Sequence, residues 1–172
     1  QCNVTAAPQG VDYVKVSAGG WHTLALRSDG IVSAWGRNTD GQCNVPALPT
    51  GMSYVQISAG GYHSTALRSD GALIAWGQNH DGQTNVPALP SGLVYDGIAT
   101  GMLHTLARRS DGEVIAWGRN TFGQTNVPPT PTGVTNVEVA AGQFHSIALR
   151  SDGSLVAWGS NSDGQTNVPA LP

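Results

Sequence analysis

A period of 41 residues runs through the chain without insertion or deletion, and it constrains the fold more than any other feature. Four motifs recur in phase: Ala-Trp-Gly, Arg-Ser-Asp-Gly, a histidine, and Gly-Gln-(Cys/Thr)-Asn-Val-Pro. The tryptophans of the first motif are Trp35, Trp76, Trp117 and Trp158, and the histidines are His22, His63, His104 and His145. A period of this length corresponds to one supersecondary unit, which buries its apolar face only against its neighbours. The sequence therefore predicts a tandem-repeat array.

The array is predicted to be one domain over residues 1–172. It divides into repeats 1–41, 42–82, 83–123 and 124–164, with the first strand segment of a fifth repeat at 165–172. Because residues 1–8 align with residues 165–172, this segment occurs five times against four copies of every other. Three interpretations stay open: a piece of a longer array, a subunit that completes a ring or filament with other copies, and a self-contained ring of four units.

Each repeat is predicted to contain four short antiparallel strands. Val14, Val16 and Ala18 alternate with Lys15 and Ser17, which is the period of two expected of a strand. The second strand begins at the histidine, the Ser-Asp-Gly after it is typical of a tight hairpin turn, and the third strand ends at the tryptophan. A fourth, short strand is predicted around residues 44–45, closed by a proline at an edge.

The fold class predicted from this pattern is all-β, a β-propeller built of four-stranded antiparallel blades. The chain has 23 glycines, 10 prolines and only 11% charged residues, too little charge for the solvated faces of helices. The tryptophans are expected to fill the wedges between blades. With only four repeats, we expect a partial ring or one completed by other copies.

Composition also limits the partners. A net charge of −3, with Lys15 as the only lysine, argues against nucleic acid, because phosphate binding needs clustered basic residues. No apolar run is long enough for a transmembrane helix, so we expect no membrane insertion. Scarce lysine with abundant threonine, asparagine and glycine favours a secreted protein.

The string Ala-Gly-Gly-Tyr-His-Ser-Thr-Ala-Leu at 59–67, followed by Asp-Gly, Ile-Ala-Trp-Gly and Gly-Gln, resembles the regulator-of-chromosome-condensation repeat. The resemblance covers the whole chain. It implies a propeller, typically of seven blades. The Gly-Gln-Thr-Asn-Val-Pro variant is most similar to bacterial secreted members, including the beta-lactamase inhibitory protein II type, which implies protein binding through loops on one propeller face.

No constellation in the sequence indicates catalysis, a metal or a cofactor. The histidines lie one per repeat, so we expect each to hold the backbone of its own blade rather than to converge on an ion. Ser28 and Asp29 belong to a turn that recurs in every repeat, which argues against a catalytic triad. The Asn38–Gln42 loop faintly resembles a calcium loop but lacks a bidentate glutamate. Cys2 and Cys43 occupy equivalent positions that are expected to lie too far apart for an internal disulfide.

Variable residues within this constant frame are the candidate partner-binding site. Large, different side chains precede the histidines, and the loop after Trp-Gly varies as well, with His80 breaking the period. The candidate residues are Trp21, Tyr62, Leu103, Phe144, Arg37, Asp40, His80, Arg119 and Phe122.

Variable aromatic tips on a fixed frame are typical of a binding scaffold; the alternative is that they only cap the wedges between blades. The leading hypothesis is a non-enzymatic scaffold that binds another protein. The alternatives are a self-assembling subunit joined through its terminal strands, and a carbohydrate-binding propeller.

Overall fold

The computed structural model of the protein describes residues 8–170 and is built of twelve strands. These are β1 (Tyr13–Ala18), β2 (His22–Arg27), β3 (Val32–Gly36), β4 (Tyr54–Ala59), β5 (His63–Arg68), β6 (Leu73–Gly77), β7 (Tyr95–Thr100), β8 (His104–Arg109), β9 (Val114–Gly118), β10 (Asn136–Ala141), β11 (His145–Arg150) and β12 (Leu155–Gly159). They form four antiparallel sheets in chain order, β1-β2-β3, β4-β5-β6, β7-β8-β9 and β10-β11-β12. The predicted all-β repeat fold is confirmed.

Each sheet over residues 8–170 has three strands, so the prediction of a fourth strand around residues 44–45 is wrong. The backbone N–H groups of this segment bond locally instead: Asn44 donates to the carbonyl of Gly41 at 2.9 Å, and Val45 to that of Cys43 at 3.0 Å. Pro46, which follows, has no N–H to give to a ladder. The segment is a turn and linker, and Val45 packs against the core between the first two sheets.

The predicted hairpin at Ser-Asp-Gly is confirmed between the second and third strands of each sheet. In the second repeat, Gly71 has a φ of 81° and donates to the carbonyl of Arg68, and the carboxylate of Asp70 accepts from the N–H of Ala72 at 3.1 Å. Arg68 also pairs with Asp70 at 2.6 Å. The positive φ favours glycine, and a Cβ there would lie 2.5 Å from that of Val94.

The core lies between consecutive sheets. Leu24, Leu26 and Val32 of the first sheet pack against Ile57 and Trp76 of the second. The same arrangement recurs between the second and third sheets and between the third and fourth. Trp76, Trp117 and Trp158 therefore fill the wedges between neighbouring sheets, as predicted.

The histidines tie consecutive repeats together, which corrects the expectation that each one holds its own blade. The Nε2 atom of His22 lies 2.8 Å from the Ser64 hydroxyl, that of His63 lies 2.9 Å from the Thr105 hydroxyl, and the pair His104–Ser146 repeats the contact at 3.1 Å. Each partner is one period plus one residue away. The expectation failed because the ring points across the interface rather than along its own strand.

The carbonyl of a glutamine completes each of these contacts. The Gln42 carbonyl accepts from the Ser64 hydroxyl at 2.8 Å and from the Trp76 indole at 2.9 Å. Gln83 and Gln124 accept the equivalent pairs of bonds from the third and fourth repeats. Because a hydroxyl has one proton and gives it to the carbonyl, the histidine must carry its proton on Nε2 and donate. We call this histidine–hydroxyl–carbonyl chain the inter-repeat relay.

The third repeat departs from the pattern in both sequence and contacts. Arg108 replaces the leucine found at this position in the other repeats, and it stands opposite Gly97 in the strand pairing. A Cβ on Gly97 would lie 3.3 Å from that of Arg108, so the glycine leaves room for the arginine. The guanidinium pairs with Asp96 at 2.8 Å and donates to the carbonyl of Val137 at 2.6 Å in the next sheet. Asp96 and Gly97, the two residues of this strand that depart from the repeat, therefore accommodate the Arg108 side chain.

The two ends of the array expose surfaces that are buried in its middle. Val16 is 75% exposed, whereas Ile57, Ile98 and Val139 at the same register are 5–9% exposed. At the other end, Leu155 is 48% exposed, although its equivalents in the other sheets are 5–6% exposed. The sheets therefore pack in chain order as an open array.

Replacing Thr105 with valine should destabilise the protein by about 1–3 kcal/mol, because it leaves a buried imidazole N–H and a buried carbonyl each short of a partner. Chemical denaturation of Thr105→Val measures the loss. Thr105→Ser is the matched control, since serine occupies this register in the second and fourth repeats, and it should lose less than half as much. Equal losses in the two variants would contradict the relay.

Candidate functional site

The buried histidine–hydroxyl pairs have the distances of a catalytic dyad but not its chemistry. A general base must accept the proton of the nucleophile, whereas the Ser64 proton is donated to the Gln42 carbonyl. His22 and Ser64 are 1% and 0% exposed, so a substrate has no access to either. These pairs are structural.

Burial keeps the relay histidines neutral. Desolvation lowers the pKa of His63 to about 3 and that of His104 to about 4, with smaller contributions from the neighbouring histidines. Burial also lowers the pKa of His22. An imidazole held neutral in this way keeps one ring nitrogen as a donor, which is the state that the relay requires.

The calcium-like loop uses its oxygens in its own turn. The Asn38 amide oxygen accepts from the N–H of Cys43 at 2.8 Å, and the Gln42 amide oxygen accepts from the N–H of Asp40 at 2.9 Å. Within residues 8–170, no group of three or more metal-binding side chains is close enough to hold an ion. The same part of the chain has no helix long and apolar enough to cross a membrane. Cys2 lies outside the described residues, so the disulfide expectation stays a prediction.

The variable residues are brought together at one end of every sheet. The residue before each histidine and the residue after each Trp-Gly are joined by a backbone hydrogen bond of 2.8–3.0 Å: Arg37 to Trp21, Gln78 to Tyr62, Arg119 to Leu103, and Ser160 to Phe144. These pairs lie where the first strand ends, the second begins and the third ends. We call this end, with residues 21, 37–40, 62, 78–81, 103, 119–122, 144 and 160–163, the front face.

Side chains of neighbouring repeats also meet on the front face. The guanidinium of Arg37 lies 5.5 Å from the centre of the Tyr62 ring, in a cation–π arrangement. The rings of Phe122 and Phe144 are 5.3 Å apart at 53°. Trp21 and Phe122 are 44% and 48% exposed, while Tyr62 and Phe144 are half-buried beneath their neighbours.

The other predicted residues lie on the same face with differing exposure. Asp40 is half-buried, and one of its carboxylate oxygens accepts from the Thr39 hydroxyl at 3.0 Å. His80 is exposed in the equivalent loop of the second repeat, whereas Leu103 and Arg119 are half-buried. The structure therefore places all nine predicted residues on the front face.

The position after Trp-Gly sets how a buried glutamine is satisfied. In the second repeat, the Gln78 amide oxygen accepts from the Gln83 amide at 3.2 Å, and in the fourth the Ser160 hydroxyl accepts from Gln165 at 3.3 Å. Arg37 and Arg119 turn away and donate to Thr39 and Thr121. The buried amide nitrogens of Gln42 and Gln124 then have no acceptor among the described protein atoms.

Sequence reasoning missed the glutamines and the hydroxyls of the relay as structural residues. Their signal was present, because the residue after each histidine is always serine or threonine and the glutamine recurs in every repeat. What the sequence does not show is that the partner of each histidine lies in the next repeat.

The model of the regulator of chromosome condensation (RCC1) repeat matches the chain at residues 13–42, 54–83, 96–124 and 137–165, together more than half of its length. The chain belongs to the RCC1 repeat family. Each match begins in the first strand of a sheet and ends at or next to the buried or half-buried glutamine. No curated protein is a significant match to the chain.

Several solved structures share this fold. Prp20p from Saccharomyces cerevisiae is 27% identical with a TM-score of 0.75, over 91% of this chain and 46% of Prp20p. Human WBSCR16 is 25% identical with a TM-score of 0.75, over 88% of this chain and 48% of its own. The ectodomain of the Arabidopsis thaliana receptor kinase ACR4 is 25% identical with a TM-score of 0.66, over 90% and 52%. The chain thus spans about half the length of these proteins.

The histidine pKa values predict acid sensitivity at mildly acidic pH. Because the folded-state pKa values of His63 and His104 lie below 6.5, the unfolded chain binds more protons below that pH, so stability falls as the pH falls. From roughly pH 6 to roughly pH 5, these two residues should together remove about 2 kcal/mol of unfolding free energy. Denaturation at the two pH values measures this, and His63→Gln should reduce the loss by about 1 kcal/mol. A loss that is unchanged in the variant would contradict the assignment.

Proposed function

We propose that the chain is a non-enzymatic, protein-binding segment of a propeller that recognises its partner through the front face. The supporting observation is the choice of arginine at positions 37 and 119. With arginine there, the buried amide of Gln42 or Gln124 has no acceptor among residues 8–170, whereas glutamine or serine at the same register supplies one. A fold selected only for stability would favour the second choice, so the two arginines are better explained by binding.

The geometry of the arginines also suits a partner. Arg37 is held on both sides, by a 2.8 Å bond to the Thr39 hydroxyl and by the Tyr62 ring, so its guanidinium loses little freedom on binding. Trp21, whose carbonyl accepts from the N–H of Arg37, presents 44% of its surface beside it. Tryptophan, tyrosine and arginine are the residues that most often dominate binding energy at protein interfaces.

Relatives support a protein partner in general terms. The structure of Prp20p is described together with its binding properties to Gsp1p and histones, and yeast RCC1 is described bound by Kap60. This chain spans about half of Prp20p and carries a net charge of −3. We therefore propose for it only a protein partner in general, and not the particular partners of Prp20p.

A carbohydrate ligand is less well supported by the front face. Sugars stack on open aromatic faces, but the Tyr62 ring is covered by Arg37 and the Phe144 ring packs against Phe122. A glycan array separates the two classes: binding to a defined glycan would replace the protein-binding proposal.

The decisive variant is Arg37→Gln, which copies the second repeat. It should raise the unfolding free energy by about 1 kcal/mol, because Gln42 gains an acceptor, and it should weaken partner binding at the same time. Trp21→Ala should weaken binding without the gain in stability. Ile31→Ala is the matched control, since Ile31 is 45% exposed at the opposite end of the sheet and Trp21 is 44% exposed.

Quantitative affinity purification with the chain as bait measures partner binding, and chemical denaturation measures the unfolding free energy. Proteins retained by the wild type and by Ile31→Ala, but depleted with Arg37→Gln and Trp21→Ala, are the expected result. The same retained proteins with all four baits would contradict the proposal, even if Arg37→Gln is stabilising.

A further inference from the structure

The ends of the array expose the two halves of an interface that the protein already builds three times. In each internal interface, a trailing face of one sheet covers a leading face of the next. Within residues 8–170, the side chains on the trailing face of the fourth sheet and on the leading face of the first are exposed or only half-buried. The trailing face comprises His145, Ile147, Leu149 and Leu155, and the leading face comprises Val16, Ala18 and Thr23.

The trailing face of the fourth sheet has the chemistry of its internal equivalents. Ile147 and Leu155 stand at the registers of Leu24 and Val32, which are 0% and 6% exposed inside the array. His145 stands at the register of the relay histidines and is half-buried, whereas His22, His63 and His104 are 0–1% exposed. Gln165 is likewise half-buried, whereas its three equivalents are 0% exposed.

The leading face of the first sheet has the complementary chemistry. Val16 stands at the register of Ile57, Ile98 and Val139, each of which a preceding sheet covers. Thr23 stands at the register of the relay hydroxyls Ser64, Thr105 and Ser146, and it is half-buried where those three are 0% exposed. One end therefore offers a histidine, a glutamine and aliphatic side chains, and the other offers a hydroxyl and a valine.

We infer that a second copy of this chain occupies these faces, with the fourth sheet of one copy stacked on the first sheet of the next. The contact continues an interface that the chain already forms three times, with the same residue types at the same registers. His145 of one copy then meets the Thr23 hydroxyl of the next, and Val16 is covered by Ile147 and Leu155. Such a contact is head-to-tail, so it uses two different faces and leads to a closed ring or to a filament.

This contact differs from the predicted clip through terminal strands. Residues 1–7 and 171–172 lie outside the described residues, and residues 165–170 form a turn followed by a segment without a strand. The inferred contact uses the faces of sheets, and it does not rest on the proposed front-face function.

Complementary face variants test the inference. Val16→Glu places a charge on the leading face, and Leu155→Glu places one on the trailing face. Because both residues are exposed, the fold should persist in each variant. Light scattering of the wild type should show a dimer or a larger assembly that grows with concentration, and each variant alone should be monomeric. Mixing the two variants should give a 1:1 complex of two chains and nothing larger, because only one pair of intact faces is left.

Val94→Glu is the matched control, since Val94 is 41% exposed in the middle of the array and should leave assembly unchanged. Circular dichroism checks that all three variants fold. A wild type that is monomeric at every concentration would overturn the inference. So would assembly that survives in the single variants, or a mixture that stays monomeric.

Discussion

The imidazole N–H groups of His22, His63 and His104 each meet a buried hydroxyl of the following repeat, and the rest of the structure depends on this contact. A single repeat cannot bury its apolar face alone, and stacked neighbours bury a continuous core. The relay fixes how consecutive sheets align across their hydrophobic contact, because each hydroxyl must meet the histidine and the carbonyl at the same time. It also explains the small residues beside each ring: a Cβ on Gly101 would lie 2.1 Å from Cε1 of His104.

The relay constrains some positions of each repeat and leaves others able to vary. The histidine, the hydroxyl, the glutamine and the tryptophan are committed to neighbours, so they cannot vary without disturbing an interface. The residue before the histidine and the residue after Trp-Gly lie at the margin of that interface and do vary. At the position after Trp-Gly, the side chain either accepts from the glutamine amide, as Gln78 does, or turns away from it, as Arg37 does.

The sequence was sufficient to predict the repeat, the strands, the hairpin turn and the position of the tryptophans, because each depends on local pattern and a fixed period. It was also sufficient to group the nine variable residues, since antiparallel strands of equal length bring the same registers to one end. The fourth strand was wrong because local turn bonds use the N–H groups of Asn44 and Val45. The role of the histidines was wrong because the partner of His22 is 42 residues away, and an isolated repeat gives no sign of which neighbour it faces. The contacts of Arg108 with Asp96 and Gly97 could not be predicted from the sequence, because they depend on how the two strands pair.

Proton positions in the relay are the most direct test of this structure. Nitrogen-15 NMR of the imidazole rings reports both the tautomer and the charge of each histidine. His22, His63 and His104 should carry their proton on Nε2 in a slowly exchanging N–H, and His63 and His104 should stay neutral at roughly pH 5. A proton on Nδ1, or titration of His63 and His104 at the ordinary histidine pKa, would contradict the relay and the interfaces built on it.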